Sequence, residues 1–274
     1  MNGLPFSKYV SIGNDFVLVE EKDLPIGADL AELSQKMCAR NFGIGSDGLL
    51  TWAQEGDGVR MRMFNPDGTE DFCGNGLRCA ALHTERKGLA DQGLTIVHLG
   101  RDVEVAFGLG GWIDVGLPQP SFEPADVPLA GGVDEVFDRE VVIEGVPLRL
   151  CATIVGSTHT VILGDGPPSE GDYQKVSPVL EHHEWFPERT SVIWSWPLAH
   201  NKLRIRIWER GAGETLGCGT GSAATAACWF RMHPILAVEV HNPGGECAVA
   251  IGPGGTLVAS AKARHVYSGK WLRI

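Results

Sequence analysis

The sequence contains no uninterrupted apolar run of about 18 residues, the length that a membrane-spanning helix needs. Its first residues, MNGLPFSKYVSIGNDF, also lack the basic stretch and apolar core that are typical of a secretory signal. We therefore expect a protein that does not cross a membrane and that works in the cytoplasm.

Positive charge is scarce, because 23 Lys and Arg stand against 34 Asp and Glu and give a formal net charge of −11. A protein of this sign repels polyanions, which argues against a general role in nucleic-acid binding. We expect a small molecule as the partner, with neither nucleic acid nor a membrane involved.

The seven cysteines form no CxxC pair and follow no regular spacing, which argues against zinc-ribbon and thioredoxin patterns. A buried packing role is the simplest interpretation of any one of them. The pair His182-His183 is typical of a charged helix end, and the G-x-G-x-x-G pattern at 43–48 follows a predicted helix, the wrong context for a dinucleotide site. We expect no metal and no cofactor.

A short motif occurs twice in the chain. Residues 73–81 read CGNGLRCAA and residues 218–227 read CGTGSAATAA, each a Cys-Gly-polar-Gly turn that leads into small residues. The two cysteines are 145 residues apart, about half the chain. A weaker similarity links SIGNDFVLV at 11–19 with IVGSTHTVIL at 154–163. Repetition at this spacing predicts two halves that fold alike.

Hydrophobic patterns and turn residues predict many short strands and few helices. The helix candidates are 29–40, 76–87, 171–183 and 219–231, with Gly88 placed to end the second. The strand candidates are 16–19, 59–64, 94–99, 102–107, 112–115, 140–143, 147–155, 159–163, 192–196, 203–208, 236–240, 246–251 and 256–260. This proportion favours an α+β fold with antiparallel sheets over a parallel doubly wound sheet. The proline-rich stretch at 118–128 predicts the linker between the halves.

Each Cys-Gly-x-Gly turn is predicted to place a thiol at the start of a helix. The first N–H groups of a helix have no partner within it and carry the positive end of its dipole, so they attract a carboxylate. The same position is expected to lower the pKa of the cysteine from about 8.5. By itself, one such turn is equally well explained as a structural cap.

Two such turns acting on one substrate would put a thiol on each face of an α-carbon. One thiolate would then remove the proton, and the opposite thiol would return a proton to the other face. This pattern predicts the racemisation or epimerisation of an amino acid, and the scheme requires neither a metal nor pyridoxal phosphate.

Five blocks of the sequence resemble the diaminopimelate epimerase family over essentially the whole chain. The blocks are FSKYVSIGNDF (6–16), FGIGSDGLL (42–50), RMFNPDGTEDFCGNG (62–76), WERGAGETLGCGTGSA (208–223) and NPGGE (242–246). The resemblance implies two similar lobes, each a mostly antiparallel sheet wrapped around a central helix, with the active site in the cleft between them. It also implies the two-thiol inversion.

The resemblance further implies an N-terminal lobe over residues 1–117 and a C-terminal lobe over residues 118–262. The tail at 263–274, which contains RHVYSGKWLRI, is expected to return to the N-terminal lobe. A homodimer is left open as the assembly.

The resemblance assigns a role to individual residues. Cys73 and Cys218 match the acid/base pair, and Glu209 and His159 match catalytic-site groups, although a lone histidine is more often structural. The substrate-binding residues that it implies are Asn14, Asn65, Gly74, Asn75, Ser157, Ser191, Arg210, Gly219 and Thr220. Arg210 is expected to bind a distal carboxylate through forked hydrogen bonds.

Three positions depart from the family pattern. The chain has Ser157-Thr158-His159 where Asn-Pro-His is usual, Ser191 where asparagine is usual, and Val10-Ser11 where His-Gly is usual. Serine is shorter and offers a hydroxyl in place of an amide, so we expect altered hydrogen bonds to the distal end of the substrate.

The sequence favours an epimerase of LL- and meso-diaminopimelate, serving lysine and peptidoglycan-precursor synthesis. The alternative is a racemase of another polar or basic amino acid on the same fold. A relative of proline racemase and a non-catalytic thiol or ligand-binding module are less favoured.

Overall fold

The computed structural model describes residues 3–56 and 58–272, and the chain divides into two compact units. The first unit consists of the described residues up to Gly116 together with those from Ser260 onward, and the second is Leu117–Ala259. The lobe boundaries expected at residues 117 and 263 fall beside these limits. Arg273 and Ile274, at the end of the expected tail, lie outside the described residues.

The first unit contains two helices and the first seven strands. They are β1 (Leu4–Ser11), β2 (Asn14–Glu20), α1 (Leu30–Cys38), β3 (Gly48–Glu55), β4 (Gly58–Phe64), α2 (Gly74–Arg86), β5 (Gly93–His98), β6 (Arg101–Phe107) and β7 (Trp112–Leu117). Single turns of 3-10 helix occur at Glu21–Asp23 and Leu109–Gly111.

The second unit repeats this order of elements, with one strand added at its start and one before its second helix. They are β8 (Arg139–Ile143), β9 (Val146–Val155), β10 (Ser157–Leu163), α3 (Glu170–Glu181), β11 (Ser191–Ala199), β12 (Lys202–Glu209), β13 (Gly213–Thr215), α4 (Gly219–Met232), β14 (Ala237–Asn242) and β15 (Gly245–Ile251). A 3-10 turn follows at Pro253–Gly255, and the last strand, β16 (Leu257–Trp271), begins in the second unit and continues into the first.

The strand pairing is also repeated. In the first unit the order is β16-β1-β2-β3-β4-β5-β6-β7, and β2–β3 and β4–β5 pair in parallel while the other neighbours are antiparallel. In the second unit the order is β8-β9-β10-β11-β12-β14-β15, with β13 beside β12, and β10–β11 and β12–β14 are the parallel pairs. The predicted α+β architecture of two similar halves is confirmed.

One helix lies at the centre of each sheet. Helix α2 contacts β1 to β5, and α4 contacts β9, β10, β11, β14 and β15. Small residues allow this close approach: a Cβ atom on Gly76 would lie 2.9 Å from Leu50 Cδ2, and one on Gly221 would lie 2.7 Å from Ile193 Cδ1. No helix in the described part of the chain is both long and apolar enough to cross a bilayer.

The other helix of each unit packs on the sheet and supplies apolar residues to a core. Leu33 and Met37 of α1 are buried in a cluster with Val17 and Leu49. In the second unit, buried side chains of α3 meet side chains of β9, β10 and β11; the α3 residues are Tyr173, Val176 and Leu180. This packing fixes the end of α3, where the second unit carries a buried carboxylate.

The predicted strands omit β1, β3 and β13. β1 escapes prediction because its side chains do not alternate between polar and apolar: Lys8 is buried in an ion pair with Asp15, at 2.6 Å between Nζ and Oδ2. β3 begins at a glycine and is buried over its first five residues, which gives no period of two. The predicted end of α2 is nearly right, since Lys87 caps the helix and Gly88 follows with a φ of 71°.

Candidate active site

Both motif cysteines are helix N-caps. Cys73 precedes α2 with φ −142° and ψ 104°, and Cys218 precedes α4 with φ −137° and ψ 111°. The Cys73 Sγ accepts the Gly76 N–H at 3.3 Å, and the Cys218 Sγ accepts the Gly221 N–H at 3.2 Å. The Cys-Gly-x-Gly motif is therefore the first turn of the helix itself, and α2 begins at Gly74, two residues earlier than predicted.

Four of the predicted substrate-binding residues form these first turns. Gly74 and Asn75 open α2, and Gly219 and Thr220 open α4. Backbone N–H groups at these positions have no acceptor within their own helix and lie at the positive end of its dipole. Each helix start therefore offers a carboxylate two N–H donors beside a cysteine sulfur.

The backbone of each cysteine is held from the same point of its unit. The Cys73 N–H donates to His98 Nε2 at 3.3 Å, and the Cys218 N–H donates to Asn242 Oδ1 at 3.1 Å. His98 ends β5 and Asn242 ends the corresponding strand β14. Neither was a candidate from the sequence, although Asn242 opens the NPGGE block that resembles the family.

The first unit brings Asn14 and Asn75 together. The Asn75 amide donates to Asn14 Oδ1 at 2.6 Å, and the buried Arg78 donates to Asn75 Oδ1 at 2.8 Å. The Asn14 amide in turn lies 3.4 Å from Asp47 Oδ2. These contacts place the Asn14 side chain beside the first turn of α2.

The glycine-rich block at 43–48 supports Asn14. Asp47 accepts the Asp15 N–H at 3.0 Å and binds Arg40 at 2.7 Å, so it fixes the start of β2. Asp47 lies in the FGIGSDGLL block that resembles the family, but no local pattern indicates that its side chain supports Asn14.

Asn65 lies in the loop that follows β4. Its amide donates to Thr69 Oγ1 at 3.1 Å, and its carbonyl accepts from Ser34 Oγ at 2.7 Å. The Asn65 side chain is thus engaged within its own loop, whereas Asn14 and Asn75 bind each other.

In the second unit, His159 and Thr220 surround the Cys218 thiol. The His159 Nε2 lies 3.9 Å from Cys218 Sγ and 3.3 Å from Thr220 Oγ1. The Cys218 Sγ and the Thr220 Oγ1 are 3.4 Å apart. The His159 Nδ1 lies 2.8 Å from the Ser157 carbonyl. That contact keeps a proton on Nδ1, so Nε2 faces the thiol as an acceptor.

Burial decides the protonation of this cluster. It raises the pKa of the Cys218 thiol well above its ordinary value, and the nearby Glu209 carboxylate raises it further. The expectation that the helix start would lower this pKa is wrong for Cys218, because loss of solvent outweighs the hydrogen bonds from the Thr220 hydroxyl and the Gly221 N–H. Burial also lowers the pKa of His159 to about 4, so this imidazole is neutral at pH 7.

The remaining predicted residues of this unit are close neighbours. Ser191 begins β11 and pairs with His159 across β10 and β11. Its hydroxyl accepts the Arg210 N–H at 3.1 Å, and the Arg210 guanidinium donates to the Glu188 carbonyl at 3.2 Å. Glu209 accepts a hydrogen bond from the Thr215 hydroxyl.

Two groups of side chains in the second unit are of the types that bind metal ions. His182 and His183 follow α3, where His183 packs edge-on against Trp185. Among the described residues, Glu239, His241 and Glu246 bring ligand atoms within 4.8 Å of one another. Lys202 lies 3.1 Å from Glu239 and already balances its charge, and we assign no metal to this cluster.

Solved structures define the class of fold to which this chain belongs. The fold is that of a solved hydroxyproline epimerase from Agrobacterium vitis, with a TM-score of 0.71 at 11% identity, covering 99% of this chain and 94% of that one. At this identity the likeness concerns the fold alone.

The chain belongs to the diaminopimelate epimerase family, whose model matches residues 6–108 and 151–266. A diaminopimelate epimerase of Moorella thermoacetica is 39% identical over 90% of this chain and 91% of its own length. One from Synechococcus sp. (strain JA-3-3Ab) is 37% identical, with 91% of both chains covered. The predicted resemblance is confirmed, and the chain is an isomerase.

Proposed function

We propose that the chain interconverts LL- and meso-diaminopimelate without pyridoxal phosphate, with Cys73 and Cys218 as the acid/base pair. The observation that carries the proposal is that each cysteine caps a buried helix of small residues at the same point of two repeated units. Membership of the family supports the substrate and a role in lysine synthesis.

The reaction exchanges one proton for another. One thiolate takes the α-hydrogen as a proton, breaking the C–H bond and forming an S–H bond, and the other thiol gives its proton to the opposite face of the carbon. The electron pair left on carbon spreads into the α-carboxylate, where N–H groups of the helix starts stabilise it. A preorganised donor of this kind is typically worth about 3 kcal/mol.

The surroundings of Cys218 suit the proton donor of the resting enzyme. Its raised pKa favours the thiol form, and the neutral His159 offers an acceptor that orients the S–H group. Because the reaction is reversible, Cys218 becomes the base in the opposite direction.

A second candidate is a racemase of another polar or basic amino acid. It is favoured by Ser157 and Ser191, which replace the asparagines usual in the family. The Ser191 hydroxyl is engaged with the Arg210 N–H. Arg210 favours diaminopimelate, since its guanidinium suits a distal carboxylate.

The proposal includes the setting of the reaction. We place it in the cytoplasm, because both thiols must stay reduced. The partner is a free amino acid, and sedimentation would show whether a homodimer forms.

The test is solvent deuterium exchange with the purified chain. LL- and meso-diaminopimelate and a panel of polar and basic amino acids are incubated in heavy water, and the loss of the α-proton is followed by NMR. We expect exchange and interconversion with diaminopimelate. Exchange with another amino acid alone would move the assignment to the racemase, and no exchange at all would leave a binding module.

Single-cysteine variants test the pair. Cys73→Ala and Cys218→Ala should each lower the rate of interconversion by about 10²- to 10⁴-fold, because each face of the carbon needs its own proton carrier. Cys79→Ala on α2 and Cys228→Ala on α4 are matched controls, since they remove a buried thiol from the same helices. Wild-type rates in either catalytic variant would refute the pairing.

A further inference from the structure

Glu181, the last residue of α3, carries a carboxylate that is buried and fully engaged. The residue is 4% exposed. Its Oε1 accepts the Gly211 N–H at 2.8 Å and an Arg189 Nη1 hydrogen at 3.2 Å, and its Oε2 accepts the Trp208 indole N–H at 2.8 Å. A buried carboxylate is costly unless such bonds satisfy it, so three donors converging here call for an explanation.

The three donors come from two chain segments. Trp208 lies in β12 and Gly211 directly follows Arg210, so the two stand on either side of Arg210 along the chain, while Arg189 belongs to the loop before β11. Glu181 therefore holds Arg210 from both sides along the chain. It also ties that segment to the neighbouring loop.

The loop before β11 contacts Arg210 directly. The Arg210 N–H donates to the Ser191 hydroxyl at 3.1 Å and its guanidinium to the Glu188 carbonyl at 3.2 Å. The main chain of Arg210 is thus held by the first residue of β11, and its side chain by Glu188, which precedes Arg189 in the loop that Glu181 contacts.

The loop before β11 contains backbone that needs such support. Arg189 has a φ of 64°, in the left-handed region that non-glycine residues seldom adopt, and Gly211 has a φ of 77°. Non-glycine residues in this region cost on the order of 1–3 kcal/mol and persist where their surroundings hold them. The Arg189 guanidinium lies over Gly211, where a Cβ atom would be 3.7 Å from Nη2.

We propose that Glu181 is a positioning residue for Arg210 and thereby sets the affinity for the distal carboxylate of the substrate. This inference rests on the proposed function, in which Arg210 binds that carboxylate. Glu181 acts through the two loops and has no role in proton transfer. Its loss should consequently weaken substrate binding more than it slows the chemical step.

The test is the substitution Glu181→Gln, assayed for KM and kcat with diaminopimelate. A glutamine has one acceptor oxygen and one N–H₂ group. The N–H₂ group would face either the Trp208 N–H or the Gly211 and Arg189 donors, so at least one hydrogen bond is replaced by a contact between two donors. We expect KM to rise about tenfold, the change that corresponds to ~1.4 kcal/mol of binding, while kcat stays close to the wild-type value.

Glu184→Gln is the matched control. Glu184 is an exposed residue three positions after Glu181, and its substitution removes the same charge. The KM of this variant should equal that of the wild type. A KM that rises equally in both variants would mean a general effect of charge and would overturn the inference.

A second variant keeps the test decisive if Glu181→Gln does not fold. Arg189→Met removes only the guanidinium of a half-exposed side chain, and it should raise KM in the same direction by a smaller factor. If the wild type converts diaminopimelate and a folded variant lowers thermal stability with KM unchanged, Glu181 is merely structural. If the wild type itself is inactive, the proposed function fails instead.

Discussion

His159 shows how the surroundings of one residue set its chemistry. It is fully buried, its Nδ1 is held by the Ser157 carbonyl, and its Nε2 faces a thiol and a hydroxyl. An imidazole in this place acts as a fixed acceptor. It would take a proton only at a pH far below neutral.

The stability of the protein should therefore fall on mild acidification. The pKa of His159 is about 4 in the folded chain and about 6.5 in an unfolded one. Between these values the unfolded state binds more protons, so the free energy of unfolding decreases as the pH falls, by up to about 3 kcal/mol from this residue. Burial also lowers the pKa of His98, which adds in the same direction.

Urea titrations between pH 7 and pH 4 would measure this loss. The variant His159→Gln should show a smaller dependence of unfolding free energy on pH, and His182→Gln, on an exposed side chain, should keep the wild-type dependence. An equal slope in His159→Gln and the wild type would contradict the assignment.

At this scale the sequence indicated the residues of the two motifs and missed residues that contact their neighbours. Cys73, Cys218 and Asn75 stand within short motifs, where local spacing reveals them. Glu181 and Gly211 are 30 residues apart in the chain, and their contact depends on tertiary packing that no local pattern contains. By sequence alone, Glu181 is one charged residue beside His182-His183 at a helix end.

At the scale of elements, the cysteine-capped helices depend on their second glycine. A Cβ atom on Gly221 would lie 2.7 Å from Ile193 Cδ1 and 3.2 Å from Cys218 Sγ, whereas one on Gly74 would meet no atom within 4 Å. The first and second glycines of the Cys-Gly-x-Gly motif thus have different structural roles. The second makes room for the neighbouring strand and for the sulfur.

The substitution Gly221→Ala should destabilise the protein by about 1–3 kcal/mol, because the buried Ile193 must repack. It should also slow the reaction by displacing the Cys218 thiol. Gly74→Ala is the control for stability and should leave the urea midpoint nearly unchanged. Equal midpoints for the two variants would show that the α4 start tolerates a methyl group.

The predicted elements were most accurate where periodicity and turn residues agreed. The predicted α4, 219–231, differs from the observed helix by one residue, whereas β1 and β3 were missed. β1 carries a buried lysine whose partner lies on the next strand, and β3 is buried on both faces. Their assignment therefore depends on contacts with other strands.

At the scale of the whole molecule, the end of the chain completes the first unit. β16 pairs with β1 from Leu4–Trp271 to Ser11–Ala263, and Trp271 is buried in the core that contains Leu4. The sheet of the first unit therefore gains its last strand only after the second unit has been synthesised.

Removing this anchor should destabilise the protein strongly. Trp271→Ala should lower the free energy of unfolding by about 3–5 kcal/mol, the usual cost of truncating a buried aromatic residue. The neighbouring Leu272 is 67% exposed, and Leu272→Ala is expected to stay within about 0.5 kcal/mol of the wild type. Chemical denaturation of the three proteins would decide, and a small effect at Trp271 would mean that the terminal strand is dispensable.

Because the Cys73 and Cys218 sulfurs also accept an N–H at a helix start, protonation and local rigidity are linked. A sulfur that has given up its proton is a stronger acceptor than a thiol, so the bond from Gly76 or Gly221 tightens when that sulfur is charged. In the proposed two-thiol reaction, the negative charge would pass from one sulfur to the other. The first turn of α2 would then become more rigid while the first turn of α4 becomes less rigid, or the reverse. The rigidity of each helix start would depend on which sulfur is charged.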